Sequence, residues 1–201
     1  MSVLQPNPNG PQSCSSKIFK GTSFSSEESQ KIKKCFKKIY LKKGNILLRT
    51  NETVKHQYYV LDGCLRTYFI DKTGREHTLQ FAINDWWISD YTAYFNSEKA
   101  ILNIECIQNA TLCEISKTDL DSLFKQIPQL ETFFRKKLES AFSGFQKRIL
   151  ASLSQSAAQR YVSFISSYPN IEQSIKNYHI ASYLGITTES LSRIRKELAQ
   201  H

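Results

Sequence analysis

Residues 177–198 read NYHIASYLGITTESLSRIRKEL, and this stretch predicts two short helices joined by a tight turn. Gly185 ends the first helix, because glycine adopts a left-handed backbone at little cost. Thr187 supplies a capping hydroxyl for the second helix, and Glu189 favours its positive N-terminal end. Ala181 is small enough to let the two helices cross closely. The apolar positions that form a shared centre are Ile180, Leu184, Ile186, Leu191, Ile194 and Leu198. The pattern is typical of a helix-turn-helix.

The outward side of the second helix predicts a surface that reads duplex DNA. Arginine donates two hydrogen bonds to a guanine edge, glutamate accepts from cytosine, and hydroxyls reach bases or phosphates. Lysine and the remaining arginine suit phosphates. The predicted DNA contacts are Thr187, Thr188, Glu189, Ser190, Ser192, Arg193, Arg195 and Lys196. A helical hairpin with a merely charged surface is the alternative. It leaves the placing of the glycine, the small residue and the six apolar residues unexplained, so we favour DNA binding.

The net charge of +9 also favours a polyanionic partner, either nucleic acid or an anionic membrane surface. No apolar run approaches the roughly 18 residues needed to span a bilayer, and no secretory segment follows Met1. We therefore expect a cytoplasmic protein without a membrane partner. Its cysteines are Cys14, Cys35, Cys64, Cys106 and Cys113, with no CxxC pair. Free, mostly buried thiols in a reducing compartment are the expectation.

The first part of the chain predicts a tail followed by a β domain. Residues 1–24 are rich in proline, glycine and serine, which predicts a flexible tail. Ser25 and Glu28 have the spacing of a capping box, so a short helix is expected to begin there. From residue 40 to residue 116, short apolar runs alternate with turn signals such as those at 43–45 and 71–74. This alternation of short apolar runs and turns favours an antiparallel sandwich or barrel, whose interior can hold one small ligand.

A long helix is predicted over residues 129–153. Phe134, Leu138, Ala141 and Phe145 recur along it at spacings of four, three and four, as in a coiled-coil seam. We predict that these four residues form a dimer interface. The alternative is an ordinary helix packed on its own barrel, but the helix length and the narrow apolar stripe between lysines favour the dimer.

Several motifs together identify a family. They are KGNIL at 43–47, YVLDGCLR at 59–66, DKTGRE at 71–76, ISKTDL at 115–120 and ITTESLSRI at 186–194. Over about residues 26–200 the chain resembles the Crp/Fnr family of bacterial transcription regulators. The resemblance implies a homodimer that binds a near-palindromic site on double-stranded DNA, senses a ligand in the barrel and has RNA polymerase as a further candidate partner.

The resemblance also implies an α+β fold in three parts after the tail of residues 1–24. Residues 25–128 are expected to form a β jelly roll, a sensor domain like a cyclic-nucleotide-binding domain. Residues 129–153 are the central dimerisation helix. Residues 154–201 form an all-α, winged-helix-like helix-turn-helix domain. Only three residues follow Leu198, so its wing is expected to be truncated.

The segment that would bind an effector phosphate reads NDWWISDYTAYFNSEKAI at 84–101. Cyclic-nucleotide binders of the family carry a Gly-Glu pair and later an Arg-Ser or Arg-Thr pair here. Asp90 stands near the Glu position, and Lys99 or apolar residues take the Arg place. A buried phosphate without a matched cation is costly, so we do not expect cyclic AMP as effector, nor any cofactor. The candidates to line a pocket for an unknown effector are Trp86, Trp87, Asp90, Tyr91, Tyr94 and Lys99. The aromatic members equally suit core and rim positions.

Two other classes compete with a DNA-binding regulator. A cupin-like metalloenzyme needs clustered histidines, but the four present are His56, His77, His179 and His201, with no HxH pair. We therefore expect no metal, no catalytic residue and no enzyme. The other class is a ligand-binding signalling module that acts through the long helix without binding DNA.

Overall fold

The structure, a computed structural model, describes residues 14–169, 171–173 and 175–200. It divides into two compact units. Within the described ranges, the first unit holds residues 14–70 and 79–128, and the second holds residues 71–78 together with those from 129 onward. The predicted α+β class, with a sheet-rich N-terminal part and helices after it, is confirmed. Residues 71–78, which the sequence assigns to the sensor domain, belong instead to the second unit.

The sheet has six strands that pair in antiparallel fashion around two long members. The strands are β1 Lys37–Leu41, β2 Ile46–Leu48, β3 His56–Ile70, β4 Glu76–Ala82, β5 Trp87–Ile88 and β6 Asn103–Ser116. Their order is β1-β6-β3-β4, with β2 also paired to β6 and β5 to β3. Val60 of β3 lies opposite Leu112 of β6, and Leu65 lies opposite Cys106. These four side chains belong to one buried apolar cluster, so they face the same side of the ladder. Each fully buried aliphatic side chain contributes about 1.5–3 kcal/mol to folding.

β3 is bulged where it passes β6, and Gly63 makes the close approach possible. The register between the two strands shifts between Val60 and Leu65. Gly63 has a φ of +94°, and a Cβ added there would lie 2.3 Å from the backbone oxygen of Asn109 and 2.8 Å from the Cβ of Ala110. The backbones can therefore approach this closely only without a side chain at position 63.

Four helices accompany the sheet in the first unit. They are α1 Cys14–Ile18, α2 Ser26–Cys35, α3 Tyr91–Asn96 and α4 Lys117–Gln126. The expected capping box begins α2: the Glu28 N–H donates to the Ser25 hydroxyl, and the Ser25 N–H donates to the Glu28 carboxylate.

Two expectations for the N-terminal region are wrong. The predicted flexible tail fails for α1, where Cys14 and Ile18 are buried in a helix, while residues 1–13 lie outside the described part of the chain. The predicted free thiols fail for one pair, because Cys14 and Cys113 form a disulfide. Their sequence separation is 99 residues, and nothing in so wide a spacing marks them as partners. The thiols of Cys35, Cys64 and Cys106 are free, as expected.

The second unit is helical apart from residues 71–78. Its helices are α5 Pro128–Ser154, which begins at the last residue of the first unit, α6 Ala157–Ser167, α7 Asn177–Leu184 and α8 Thr188–Leu198, with a 3-10 turn at Ile171–Gln173. Tyr161, Phe164 and Ile180 are among its buried residues. In the described ranges, no helix combines the length and the apolar character needed to cross a bilayer. The truncated wing stays an expectation.

We expect Gly63→Ala to lower the unfolding free energy of the first unit by about 3 kcal/mol. A left-handed backbone costs an alanine about 1–2 kcal/mol, and the clash with β6 adds a similar amount. Gly44→Ala is the matched control, since Gly44 has a φ of +86° but nothing within 4 Å of an added Cβ. Gly44→Ala should therefore lose only the part of the unfolding free energy that the left-handed backbone costs, about 1–2 kcal/mol. Trp86 and Trp87 both lie in the first unit and are the only tryptophans, so urea titration followed by tryptophan fluorescence measures that unit alone. Equal losses in both variants would contradict the role given to Gly63.

Candidate nucleic-acid interface and effector segment

The helix-turn-helix has the local geometry that its sequence predicts. Gly185 adopts a left-handed φ of +69° and ends α7, and the Ile186 N–H donates to the Ala181 carbonyl at 3.0 Å. The Thr187 hydroxyl caps α8 by accepting the Ser190 N–H at 3.2 Å. Of the six residues predicted for the apolar centre, Ile180, Leu184, Leu191 and Ile194 are buried, as is the small Ala181, whereas Ile186 is partly exposed. Leu198 differs, because it lies in the last turn of α8 and is 41% exposed.

The exposed side of α8 carries a donor and an acceptor side by side. Glu189, Ser192, Arg193 and Lys196 are all exposed, and the Arg193 Nε lies 3.9 Å from the Glu197 carboxylate. Hydrogen bonds from the Glu189 N–H and then from the Thr187 and Thr188 hydroxyls lower the pKa of the Glu189 carboxyl. Glu189 is therefore ionised at neutral pH and serves only as an acceptor.

The hydroxyl groups predicted to contact DNA make hydrogen bonds within α8 and its N-terminal cap. Thr187 and Ser190 form the N-terminal cap, with their hydroxyls 3.2 Å apart. The Ser192 hydroxyl donates to the Thr188 carbonyl at 3.0 Å, and the Thr188 hydroxyl donates to the Glu189 carboxylate at 3.1 Å. Thr188 thus orients the acceptor beside it.

Arg195 corrects the prediction of a phosphate contact, because its guanidinium is bound inside the second unit. Nε donates to the Tyr161 hydroxyl at 3.0 Å, Nη1 to the Asn177 amide oxygen at 2.7 Å, and Nη2 to the Glu172 carboxylate at 3.2 Å. Tyr161 also donates to Glu172. Arg195 therefore holds α8 against α6, α7 and the 3-10 turn rather than facing a ligand.

Residues 71–78 position the first helix of the motif, which sequence reasoning missed. The Ser182 hydroxyl of α7 donates to the Glu76 carbonyl and accepts the Thr78 N–H, each at 2.8 Å. Arg148 of α5 donates to the Thr78 carbonyl at 3.3 Å and to the Tyr183 carbonyl at 3.2 Å. These partners are 104 and 106 residues from Ser182 in the chain, so no local pattern could indicate them.

An apolar stripe runs along the exposed side of α5. It consists of Leu138, Phe142, Phe145, Ile149 and Leu153, with exposed fractions of 45, 64, 36, 61 and 80%. Of the four residues predicted for the dimer interface, Leu138 and Phe145 lie in this stripe, and Ala141 is exposed. Phe134 is only 7% exposed, so it packs within its own chain. The prediction from the sequence left out Phe142, Ile149 and Leu153, which lie three or four positions from their neighbours in the stripe.

Asp90, the candidate for holding an effector hydroxyl, is fully buried and already occupied. Its carboxylate accepts the N–H groups of Ala93 at 3.2 Å, Ile101 at 2.7 Å and Leu102 at 3.0 Å. It caps α3 and joins that helix to the segment that follows. At the other end of α3, the Lys117 ammonium donates to the Phe95 carbonyl at 2.8 Å.

The other effector candidates do not converge on one pocket. Trp87 contacts the ring of Tyr59, with centroids 5.3 Å apart, and Lys99 is exposed and donates to the Thr53 hydroxyl at 2.8 Å. Tyr91 stacks on Phe95. Tyr94 is buried in the apolar cluster, against which Trp86 also packs.

A small cavity of about 110 Å³ lies elsewhere in the first unit. Its lining residues are Leu47, Leu48, Glu52, Thr53, Val54, Lys55, His56 and Tyr58. None of the six effector candidates is among them. Within the described ranges, no three His, Cys, Asp or Glu side chains are grouped to hold a metal ion.

Comparisons with known proteins agree with this architecture. Residues 38–127 match the cyclic nucleotide-binding domain family. The transcriptional activator protein Anr of Pseudomonas protegens is 23% identical over 172 residues, which cover 80% of this chain and 70% of Anr. Among solved structures, FixK2 from Bradyrhizobium japonicum matches with a TM-score of 0.72 at 16% identity, covering 82% of this chain and 85% of FixK2. The c-di-GMP-responsive regulator CLP of Xanthomonas campestris matches with a TM-score of 0.69 at 14% identity, covering 88% of this chain and 92% of CLP.

A cyclic-nucleotide-binding type of sheet domain followed in the same chain by a helix-turn-helix defines a DNA-binding transcription regulator. The curated relatives are themselves named as a transcriptional activator and a regulatory protein. The matched sheet domain and the named regulators among the relatives support the Crp/Fnr type of regulator that the motifs indicate.

We expect Arg195→Ala to lower the unfolding free energy of the second unit by about 2 kcal/mol, because it leaves the half-buried Glu172 carboxylate without its guanidinium partner. Lys196→Ala, one position further along α8, removes an exposed cation and should stay within about 0.5 kcal/mol of the wild type. Urea titration followed by far-UV circular dichroism, to which this helical unit contributes strongly, compares the two. A loss no larger for Arg195→Ala than for Lys196→Ala would return Arg195 to the list of DNA contacts.

Proposed function

We propose that this Crp/Fnr regulator binds a near-palindromic site on duplex DNA as a homodimer, with α8 in the major groove. The observation that carries the proposal is the exposed polar face of α8 over a buried apolar centre. Glu189, Ser192 and Arg193 are proposed to read base edges, and Lys196 to contact a phosphate. We further propose that the protein works in the cytoplasm, where its DNA partner lies, with RNA polymerase as a candidate partner on that DNA.

The chemistry of these side chains fits the proposed roles. The exposed Arg193 guanidinium can donate two parallel hydrogen bonds to guanine O6 and N7. The ionised Glu189 carboxylate, oriented by Thr188, accepts from a cytosine or adenine amine on the neighbouring base. Because the Arg193–Glu197 ion pair is exposed, it contributes little and does not hold Arg193 away from DNA.

The proposed dimer rests on the stripe along α5. Five large apolar side chains at spacings of four, three, four and four follow a heptad-like seam. A second copy presenting the same stripe would bury both, and a two-fold dimer matches a near-palindromic site.

For the sensor we propose an effector other than cyclic AMP. The buried Asp90 carboxylate has its N–H partners in the protein, and the buried position that follows Lys99 is Ala100 rather than an arginine. Two buried hydroxyls, those of Thr67 and Tyr94, have no hydrogen-bond partner among the described residues. They are the groups that a small polar effector would pair with.

We expect Arg193→Ala to weaken binding to the cognate site by about 1–3 kcal/mol and to relax specificity at one base pair. Lys196→Ala should weaken binding to cognate and scrambled DNA alike. It should also reduce the magnitude of the slope of log affinity against log salt by about 1, the value for one phosphate contact. Gel shifts with a salt titration measure both variants. An unchanged cognate-to-scrambled ratio for Arg193→Ala would refute its role. A wild-type protein that shifts no DNA at any salt concentration would favour a signalling module instead.

We expect Ile149→Asp to dissociate the dimer, because it places a charge in the centre of the apolar stripe. Lys147→Asp is the control: position 147 is exposed on the same helix but lies off the stripe. Sedimentation velocity at micromolar concentration should show a dimer for the wild type and the control, and a monomer for Ile149→Asp. A monomeric wild type would count directly against the dimer.

A further inference from the structure

The Cys14–Cys113 disulfide attaches α1 to one row of side chains on the sheet. Cys113 of β6 lies opposite Lys38 of β1 and opposite Tyr59 of β3. Directly opposed residues of antiparallel strands point to the same side, so these three side chains share a face. That face is the outer one, because Leu112, the next residue, belongs to the interior apolar cluster.

Noncovalent interactions also hold α1 on this face. The Tyr59 hydroxyl donates to the Lys17 carbonyl at 3.4 Å, a long contact, while its 2.6 Å bond goes to Asp85. Ile18 and Phe19 are buried, and the Phe19 ring meets that of Phe36 edge to face at 5.9 Å. A helix of five residues has no stability of its own in water, so α1 depends on its tertiary contacts, and the disulfide is the covalent one among them.

We propose that Cys14–Cys113 is a thiol–disulfide exchange site for low-molecular-weight thiols, and that its redox state determines whether α1 stays attached to the sheet. This inference rests on the proposed function in one respect only: a DNA-binding protein works in a thiol-rich compartment, where a disulfide is exposed to reductant.

The exchange balances in two steps. A small thiolate attacks the sulfur of Cys14, the residue that is the more exposed of the two at 7% against 0%, and forms a mixed disulfide there. The S–S bond breaks, and Cys113 leaves as a thiolate that takes up the proton released by the attacking thiol. A second small thiolate then attacks the sulfur of the small molecule and frees Cys14. Two small thiols are oxidised to one disulfide, and the protein gains two electrons and two protons.

The surroundings favour this pair over the other cysteines. Lys38 lies directly opposite Cys113 in the strand register, and a lysine that shares a face with a cysteine favours the thiolate that leaves. Burial raises the pKa of the Cys64 thiol and of the Cys106 thiol to about 12 each. Both therefore stay protonated at neutral pH and do not compete. Because α1 is short, local opening can expose the bond while the sheet stays folded.

The first test counts thiols in the full-length wild-type protein. The protein is equilibrated in buffers of varied reduced and oxidised glutathione, then denatured, alkylated and weighed by mass spectrometry. Five cysteines less the two in the bond leave three reactive thiols in oxidising buffer, and all five should react in reducing buffer. The change should occur as one two-electron step, with the far-UV circular dichroism of the folded protein retained. Cys35→Ser, which removes a free thiol, should lower both counts by one and leave the midpoint where it was.

The second test follows α1 itself by limited trypsin digestion, since Lys17 and Lys20 are exposed. Cleavage at these lysines should be at least about ten-fold faster in the reduced protein, because detached α1 opens readily. Cys14→Ser should cleave at the fast rate in both buffers, and Cys35→Ser should behave like the wild type.

Each outcome decides the proposal without reference to DNA binding. Five reactive thiols in every buffer would show that the pair is not a redox couple. A count that changes only when the protein unfolds would overturn exchange with the folded protein. A normal change in the count with equal cleavage rates would overturn the attachment of α1. The wild-type comparison alone is decisive if Cys14→Ser fails to fold.

Discussion

The antiparallel ladder between β3 and β6 is the interaction on which the first unit depends. β1 and β2 pair only with β6, and β4 and β5 continue from β3, so removing the ladder leaves two separate fragments of sheet. The interior rows, such as Val60 with Leu112, supply the apolar core, and the outer row through Cys113 and Tyr59 receives α1. Gly63 lets the two strands approach at the bulge. One long pair of strands thus fixes both the inside and the outside of the unit.

The segment after β5 shows how a sensor fold can satisfy its own polar groups. Asp90 accepts backbone N–H groups at one end of α3, and Lys117 binds carbonyl groups at the other. A carboxylate tolerates complete burial when several N–H groups point at it. As a consequence, the Asp90 carboxylate and the Lys117 ammonium bind the protein's own backbone and are not available to a charged ligand. The hydroxyls of Thr67 and Tyr94, which are buried without a hydrogen-bond partner in the described part of the chain, are the groups that we propose a ligand would recognise.

Much of the fold followed from local chemistry in the sequence. The caps at Ser25 and Thr187 and the end of α7 at Gly185 depend on residues within four positions, so the sequence predicts them directly. Long-range partners are different. The charge of Arg195 is evident from the sequence, but the three acceptors around its guanidinium are not. In the same way, the sequence shows a cysteine at position 14 but not that its partner lies on β6. The effector candidates stay a prediction, since aromatic side chains that suit a pocket suit a core equally well. The stripe on α5 was only partly found, because helix periodicity does not say which turn is buried within the chain, as Phe134 is.

That stripe has a consequence for abundance. A protomer that leaves Phe142, Ile149 and Leu153 in water gains stability whenever another molecule covers them, and this gain grows with the concentration of that molecule. If the molecule that covers the stripe is a second copy of this chain, the folded fraction and the dimeric fraction both rise with the number of copies in the cell. The expression level of the gene would then act as an input of its own, alongside whatever the sensor detects.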